Sequence, residues 1–169
     1  MRNFANVKRI VIKIGTNTLS KDGAVDSGLI RQIAAEIAKL HSSGKKVIIV
    51  TSGAIGLGAM KLKLNEHPSA INMRQACAAI GQPILMQEYS KAFAKFNITV
   101  AQALITADVL NNRKTYLNLR NSIDTLLKIG VIPVVNENDN VSTEEIGSAF
   151  GDNDTLSALV ASKIDADLL

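Results

Sequence analysis

The sequence of 169 residues contains no tryptophan, and aromatic residues make up only 4% of it. Its 19 lysines and arginines exceed its 15 acidic residues by a net charge of +4, and the basic residues are spread along the chain. Proteins that bind nucleic acids usually concentrate basic residues on one face, often beside aromatic side chains on which bases stack. Neither feature is present, so we expect no nucleic-acid partner. The mild positive charge is compatible with small anionic substrates.

Cysteine and histidine are also scarce. Cys77 is the single cysteine, and His41 and His67 are the two histidines, so an internal disulfide is impossible and the Cys/His spacing of a zinc site is missing. Cys77 lies in an apolar, helix-like segment, which favours a small core residue over a catalytic thiol. We therefore predict no metal site built from this chain's own residues.

Long hydrophobic segments are absent as well. No apolar run approaches the roughly 20 residues of a transmembrane helix, and the start of the chain lacks the apolar core of a signal peptide. Hydrophobic residues make up 47% of the sequence and charged residues 20%, as in an ordinary globular domain. We expect a cytoplasmic domain without membrane contacts.

Short apolar segments alternate with longer amphipathic ones along the chain. The apolar segments predict strands at residues 7–14, 46–51, 98–105 and 131–135, and the beginning of a fifth at 167–169. The amphipathic segments predict helices at 26–44, 52–62, 73–96, about 116–127 and 155–163, with a break or kink at Gly81-Gln82-Pro83. Nearly continuous apolar strands separated by helices predict a mainly parallel sheet covered on both faces. The expected fold is an α/β three-layer αβα sandwich, incomplete at the C-terminus.

Polar, small or charged residues stand at the carboxyl end of each of the four complete predicted strands. They are residues 13–17, 51–54, 106–108 and 136–139. In open α/β sheets, ligands bind outside the carboxyl ends of the strands. Because the sequence changes from apolar to polar, small or charged residues at all four strand ends, we expect these ends to form one site.

Lys13 places a charged ammonium group inside the apolar run from Ile10 to Ile14. One interpretation is an edge-strand lysine that extends to solvent. The other places its charge at the strand tip, facing an anion such as a phosphoryl group. Gly15, which follows directly, would let a ligand approach the backbone.

The second strand continues into a glycine-rich junction, Ser52-Gly53-Ala54. Free N–H groups at the start of a helix form an anion cradle, which is the functional interpretation. The structural alternative is that Ser52 caps the helix while the glycines permit close packing. The junction does not match the dinucleotide-binding, P-loop or nucleophile-elbow motifs.

Two polar clusters stand near the end of the sequence: residues 136–140 (N-E-N-D-N), and Asp152, Asn153 and Asp154 before an apolar helical pattern. A hydrophilic loop and a helix cap would explain part of this pattern. A helix start needs only one capping side chain, however, and three acceptor-rich residues in a row repel one another. We therefore expect a cationic or donor-rich partner, and favour a binding site.

Together these segments resemble the amino acid kinase family, and within it the branch that phosphorylates L-glutamate. The matching segments are V-I-K-I-G-T-N, V-I-I-V-T-S-G-A-I-G, P-V-V-N-E-N-D and G-D-N-D-T-L-S-A-L. The resemblance implies transfer of the γ-phosphoryl group of ATP, accompanied by Mg²⁺, to the side-chain carboxylate of L-glutamate. The product would be γ-glutamyl phosphate, at the first step of proline biosynthesis.

The resemblance also implies roles for individual residues. Lys13 would contact ATP and the transferring phosphoryl oxygens, and Asp154 would hold Lys13 in place. The glutamate ligands would be Ser52, Asp139 and Asn153. The residues offering backbone N–H groups would be Gly15, Gly53 and Ala54.

Family members continue past the position of Leu169 into a nucleotide-binding half, and many add a PUA domain. We therefore interpret residues 1–169 as the N-terminal, acceptor-binding part of an amino acid kinase domain, and expect no kinase activity from this chain alone. The resemblance further implies a homo-oligomer and feedback inhibition by proline. Two alternatives stay open: another carboxylate or carbamate kinase of the same fold, and a non-catalytic module that binds glutamate or proline.

Overall fold

The structure is a computed structural model that describes residues 4–21, 24–141 and 153–169. Its elements follow one another along the chain. They are β1 (Arg9–Ile14), α1 (Thr16–Leu19), β2 (Ser20–Lys21), β3 (Ala24–Val25), α2 (Ser27–Ser42), β4 (Lys46–Thr51), α3 (Ala54–Lys61), α4 (Ile71–Ala94), β5 (Val100–Ile105), α5 (Ala107–Asn111), α6 (Arg113–Lys128), β6 (Ile132–Glu137) and α7 (Asn153–Lys163).

The main sheet has four strands in the order β1-β4-β6-β5, and every neighbouring pair is parallel. The short strands β2 and β3 form a separate antiparallel pair, which the sequence did not predict. Because parallel strands end at the same edge of a sheet, β1, β4, β5 and β6 present their carboxyl ends together. The predicted αβα sandwich is confirmed.

Two hydrophobic cores cover the two faces of this sheet. One core joins the sheet to α2, α3 and α4, and the other joins it to α5, α6 and α7. Side chains alternate between the faces along each strand. In β1, Ile14 therefore belongs to the α4 side and Val11 to the α7 side. Lys13 follows Val11 in this alternation and lies on the α7 side, at the end of the strand.

Helices α3 and α4 pack with almost no space between their backbones. A Cβ atom added at Gly58 would lie 1.9 Å from the carbonyl oxygen of Cys77, and one added at Gly81 would lie 1.8 Å from that of Ala54. Glycine at both positions permits this contact, which brings α4 against the junction after β4. Cys77 is fully buried there, as predicted.

Of the break or kink predicted at Gly81-Gln82-Pro83, the break is wrong, because α4 runs continuously from Ile71 to Ala94 with Pro83 inside it, and the kink stays a prediction. Proline removes one helical hydrogen bond and therefore destabilises a helix. The residues around it, including Ala78, Gly81 and Leu85, are buried against the rest of the protein. Their packing holds the helix together across the proline.

Residues 167–169 lie beside β1, on the side opposite β4. Leu168 forms a single parallel bridge with Ile10, and its carbonyl oxygen accepts a hydrogen bond from Val11 at 2.9 Å. The Asp167 carboxylate accepts hydrogen bonds from the backbone N–H groups of Arg9 (2.8 Å) and Lys8 (2.7 Å), which lower its pKa. The predicted fifth strand is thus present as one bridge.

An apolar groove of about 820 Å³ runs along β1. Its walls include Phe4, Val7, Leu40 and Leu169, and its lining extends to Lys13.

Within the described residues, no helix is both long enough and apolar enough to span a membrane.

Candidate active site

The clearest polar contact at the strand ends joins Lys13 to Asp154. The Lys13 Nζ atom lies 2.7 Å from Asp154 Oδ1. Lys13 comes from the end of β1 and Asp154 from the first turn of α7, and both lie on the same side of the sheet. The Lys13 side chain is 23% exposed. β1 does lie at the edge of the sheet, as the first interpretation assumed, but the Lys13 ammonium group is held by Asp154 instead of extending freely into solvent.

Ser52 connects the ends of β1 and β4. Its hydroxyl group donates a hydrogen bond to the carbonyl oxygen of Ile14 at 3.2 Å, and the residue is buried. The cap position of α3 is instead Gly53, which makes no side-chain capping bond. The alternative that Ser52 caps this helix is therefore wrong.

Glycines permit the tight backbone beside these residues. Gly53 has a φ of 96°, a left-handed conformation that favours glycine. A Cβ atom at Gly15 would lie 3.3 Å from Lys13 Nζ, so a side chain there would crowd the ammonium group. Ala54 is the first residue of α3 and is buried. The role of these three backbone N–H groups as an anion cradle stays a prediction.

Asn153 joins α7 to the ends of β4 and β6. Its Nδ2 atom donates to the carbonyl oxygen of Thr51 at 2.8 Å and lies 3.4 Å from Asn136 Oδ1. Thr51 is held in turn by the buried Tyr89 of α4, whose hydroxyl lies 2.9 Å from Thr51 Oγ1. Burial raises the pKa of Tyr89 to about 12, so this hydroxyl keeps its proton at neutral pH.

Asn136 is a candidate site residue to which sequence reasoning assigned no role. It is 2% exposed, and its Oδ1 accepts a hydrogen bond from the backbone N–H of Glu137 at 2.9 Å. Among the described residues, its Nδ2 is the buried side-chain polar atom without a hydrogen-bond partner. Burying such a donor is costly. The signal in the sequence was its position, as the first polar residue after the apolar run of β6.

Asp139 lies three residues after Asn136 and has an unusual carboxyl group. Its pKa is raised from 3.8 to about 6, chiefly by burial and also by the negative charge of Glu137. The Arg74 guanidinium acts in the opposite direction and lowers the pKa. A desolvated carboxylate of this kind gains much from a cationic ligand.

Three predicted strand ends are therefore linked by direct contacts. Lys13 and Asp154 join β1 to α7, Ser52 joins β4 to β1, and Asn153 joins α7 to β4 and β6. The end of β5 lies next to β6, where the carbonyl oxygen of Ile105 accepts from Asn138 at 2.8 Å.

Two acidic residues of the predicted polar segments are not among these contacts. Asp108, at the end of the third predicted strand, is exposed in α5. Asp152, in the second polar cluster, lies outside the described residues. Within the described part of the chain, no group of three acidic, histidine or cysteine residues could hold a metal ion.

A sequence model of the amino acid kinase family matches residues 8–169. The glutamate 5-kinase of Methanosarcina mazei is 51% identical over 174 residues, which cover 98% of this chain and 45% of that protein. The glutamate 5-kinase of Clostridium acetobutylicum is 51% identical over 167 residues, covering 98% of this chain and 62% of that protein. The chain spans about half the length of the curated relatives it matches.

The structure of a carbamate kinase from Giardia has a similar fold, with a TM-score of 0.64. The two chains are 18% identical, and the alignment covers 97% of this chain and 72% of the other. This likeness concerns the fold alone.

Proposed function

Because the chain belongs to the amino acid kinase family, we propose that its site binds L-glutamate and presents the side-chain carboxylate to the γ-phosphoryl group of ATP. The product is γ-glutamyl phosphate. Residues 1–169 then form the N-terminal, acceptor-binding part of the kinase domain. The observation that carries this proposal is the 2.7 Å contact between Lys13 and Asp154 beside the buried polar groups of β4 and β6.

Lys13 is the residue that we assign to phosphoryl transfer. Phosphoryl transfer through a loose transition state requires positioning and neutralisation of charge on the phosphoryl oxygens. The Lys13 ammonium group supplies a fixed positive charge at the strand tip. Asp154 orients it through their ion pair, so that the charge is in place before the reaction begins.

The acceptor needs no general base. A side-chain carboxyl group with an ordinary pKa of about 4.3 is already ionised at neutral pH and is itself the nucleophile. The task of the acceptor site is therefore to hold a zwitterionic amino acid in the correct orientation.

Three residues suit the binding of that amino acid, and a fourth supports them. Asp139 is a desolvated carboxylate, which suits the α-ammonium group. Ser52 donates its hydroxyl hydrogen to Ile14, and its oxygen can accept from the same ammonium group. Asn136 carries a buried N–H group that suits a substrate carboxylate oxygen, and Asn153 holds the surrounding strand ends together.

ATP is a co-substrate, and Mg²⁺ bound to its phosphates would supply further charge neutralisation. Since the described residues contain no metal cluster of their own, we assign no metal ligand. Inhibition by proline, assembly into a homo-oligomer and a place in proline biosynthesis stay predictions from the family resemblance.

The proposal is tested by measuring acyl phosphate formation with hydroxylamine as a trap, using the whole native polypeptide. The acceptors are L-glutamate, N-acetyl-L-glutamate, L-aspartate and carbamate, each with ATP. We expect product with L-glutamate alone, because N-acetylation removes the ammonium group that Asp139 would bind and aspartate is one methylene shorter. Preference for another acceptor would assign a different carboxylate or carbamate kinase. Glutamate binding by calorimetry without turnover would instead assign a non-catalytic binding module.

A further inference from the structure

Gln82 is a buried amide that connects α4 to the ends of two strands. Its Nε2 atom donates to the backbone carbonyl oxygen of Glu137, the last residue of β6, at 3.3 Å. Its Oε1 atom accepts a hydrogen bond from Gln102 of β5 at 3.0 Å. Gln82 is 8% exposed.

These partners fix the orientation of the amide. The carbonyl oxygen of Glu137 only accepts hydrogen bonds, so the NH₂ group of Gln82 must face it. The Oε1 atom then points toward Gln102, which supplies a donor. The two glutamines therefore form a directed series of hydrogen bonds from β5 through α4 to β6.

Packing alone does not account for an amide at this position. Gln82 lies on the buried face of α4 between Gly81, which packs on Ala54, and Leu85. A leucine or methionine would fill a similar volume without desolvating an amide, which is costly unless every polar atom is paired. The effect of the Gln82 hydrogen bonds is to fix the position of one backbone carbonyl group, that of Glu137, at the end of β6.

The position of that carbonyl bears on the acceptor site, because Glu137 lies two residues before Asp139. We propose that Gln82 is a positioning residue, supported by Gln102, which holds the end of β6 so that Asp139 meets the ammonium group of the acceptor. This inference rests on the proposed function of the same site. In this role Gln82 acts through Glu137, and we assign it no contact with the acceptor or the transferring phosphoryl group.

The test compares Gln82→Met with Gln102→Met and the wild type in the whole native polypeptide. Gln82→Met keeps the side-chain length and removes both hydrogen bonds, whereas Gln102→Met removes only the support. Gln32→Met, at an exposed position of α2, is the matched control. The measurements are kcat, the KM for L-glutamate, the KM for ATP and the midpoint of urea unfolding.

For Gln82→Met we expect the KM for glutamate to rise about tenfold, while kcat and the KM for ATP stay within about twofold. Gln102→Met should change the same constant by about threefold, and Gln32→Met should change none. An unchanged KM for glutamate, or equal rises for both substrates, overturns the positioning role. If Gln82→Met does not fold, Gln102→Met decides by the same criterion. A wild type that does not phosphorylate glutamate refutes the proposed function, and the positioning role with it.

Discussion

At the scale of single residues, the ion pair with Asp154 explains why a lysine stands in the apolar strand β1. Alternation places Lys13 on the side of α7, and the first turn of α7 supplies the carboxylate. The sequence indicated both residues, because each is a charge in an unusual position. It could not indicate the contact itself, since 141 positions separate them and only the fold brings them together.

Replacement of Lys13 should abolish most of the phosphoryl transfer. We expect Lys13→Met to lower kcat by about 10²- to 10³-fold, because the lost charge acts mainly in the transition state. The KM for glutamate should change only a few-fold. Steady-state kinetics measure both constants, and Lys39→Met, an exposed lysine paired with Glu36, is the control. A near-normal kcat for Lys13→Met would remove the residue from the mechanism.

The raised pKa of Asp139 predicts a pH-dependent affinity for the acceptor. Below about pH 6 this carboxyl group is protonated in the free site, and it then attracts an ammonium group only weakly. The KM for glutamate should therefore rise as the pH falls from 8 to about 5.5, a range in which the substrate's own carboxylates stay ionised. Initial rates across this range measure the effect.

Two variants provide the controls for this pH profile. Asp139→Asn should flatten it, because the titrating group is gone. Arg74→Met should move it to higher pH, because the guanidinium lowers the pKa of Asp139. Folding stability should show the opposite trend from binding. Because its pKa is raised in the folded state, Asp139 holds its proton more tightly there than in the unfolded chain. Its contribution to the free energy of unfolding therefore falls as the pH rises from about 4 to 6. A profile that is the same in wild type and Asp139→Asn would contradict the assignment.

At the scale of elements, the contact between α3 and α4 fixes the junction that follows β4. Gly58 and Gly81 let the two backbones meet, and Tyr89 and Gln82 on α4 then reach the strand ends. The sequence predicted both helices from their periodicity. It misjudged Pro83, because local propensity favours a break and the tertiary packing that outweighs it is not visible in a local pattern.

Alanine at Gly81 should therefore destabilise the protein strongly. The added Cβ would lie 1.8 Å from the carbonyl oxygen of Ala54, so the helices must separate. We expect Gly81→Ala to lower the free energy of unfolding by about 3 kcal/mol or more, as measured by urea denaturation. Gly56→Ala is the matched control, since no atom lies within 4 Å of its added Cβ. That variant should be neutral or slightly stabilising, because alanine favours helix over glycine. Equal stability of the two variants would contradict the close-packing account.

At the scale of the whole molecule, the carboxyl ends of the strands lie at one edge of a parallel sheet that is packed between two apolar cores. The order of apolar and amphipathic segments was enough to predict this architecture, because parallel sheets need helices on both faces. The strand order, the β2–β3 pair and the choice of β1 as the partner of Leu168 could not be predicted, since each depends on contacts between distant segments.

The same edge carries every residue that we assign to the acceptor, and none that we assign to the adenine or ribose of ATP. The central claim is therefore that this chain supplies the acceptor site. The KM values of Asp139→Asn for the two substrates, measured in the whole native polypeptide, test it most directly. The account predicts a large rise in the KM for L-glutamate, at least about tenfold, with the KM for ATP almost unchanged. Equal rises for both substrates, or a selective rise for ATP, would contradict it.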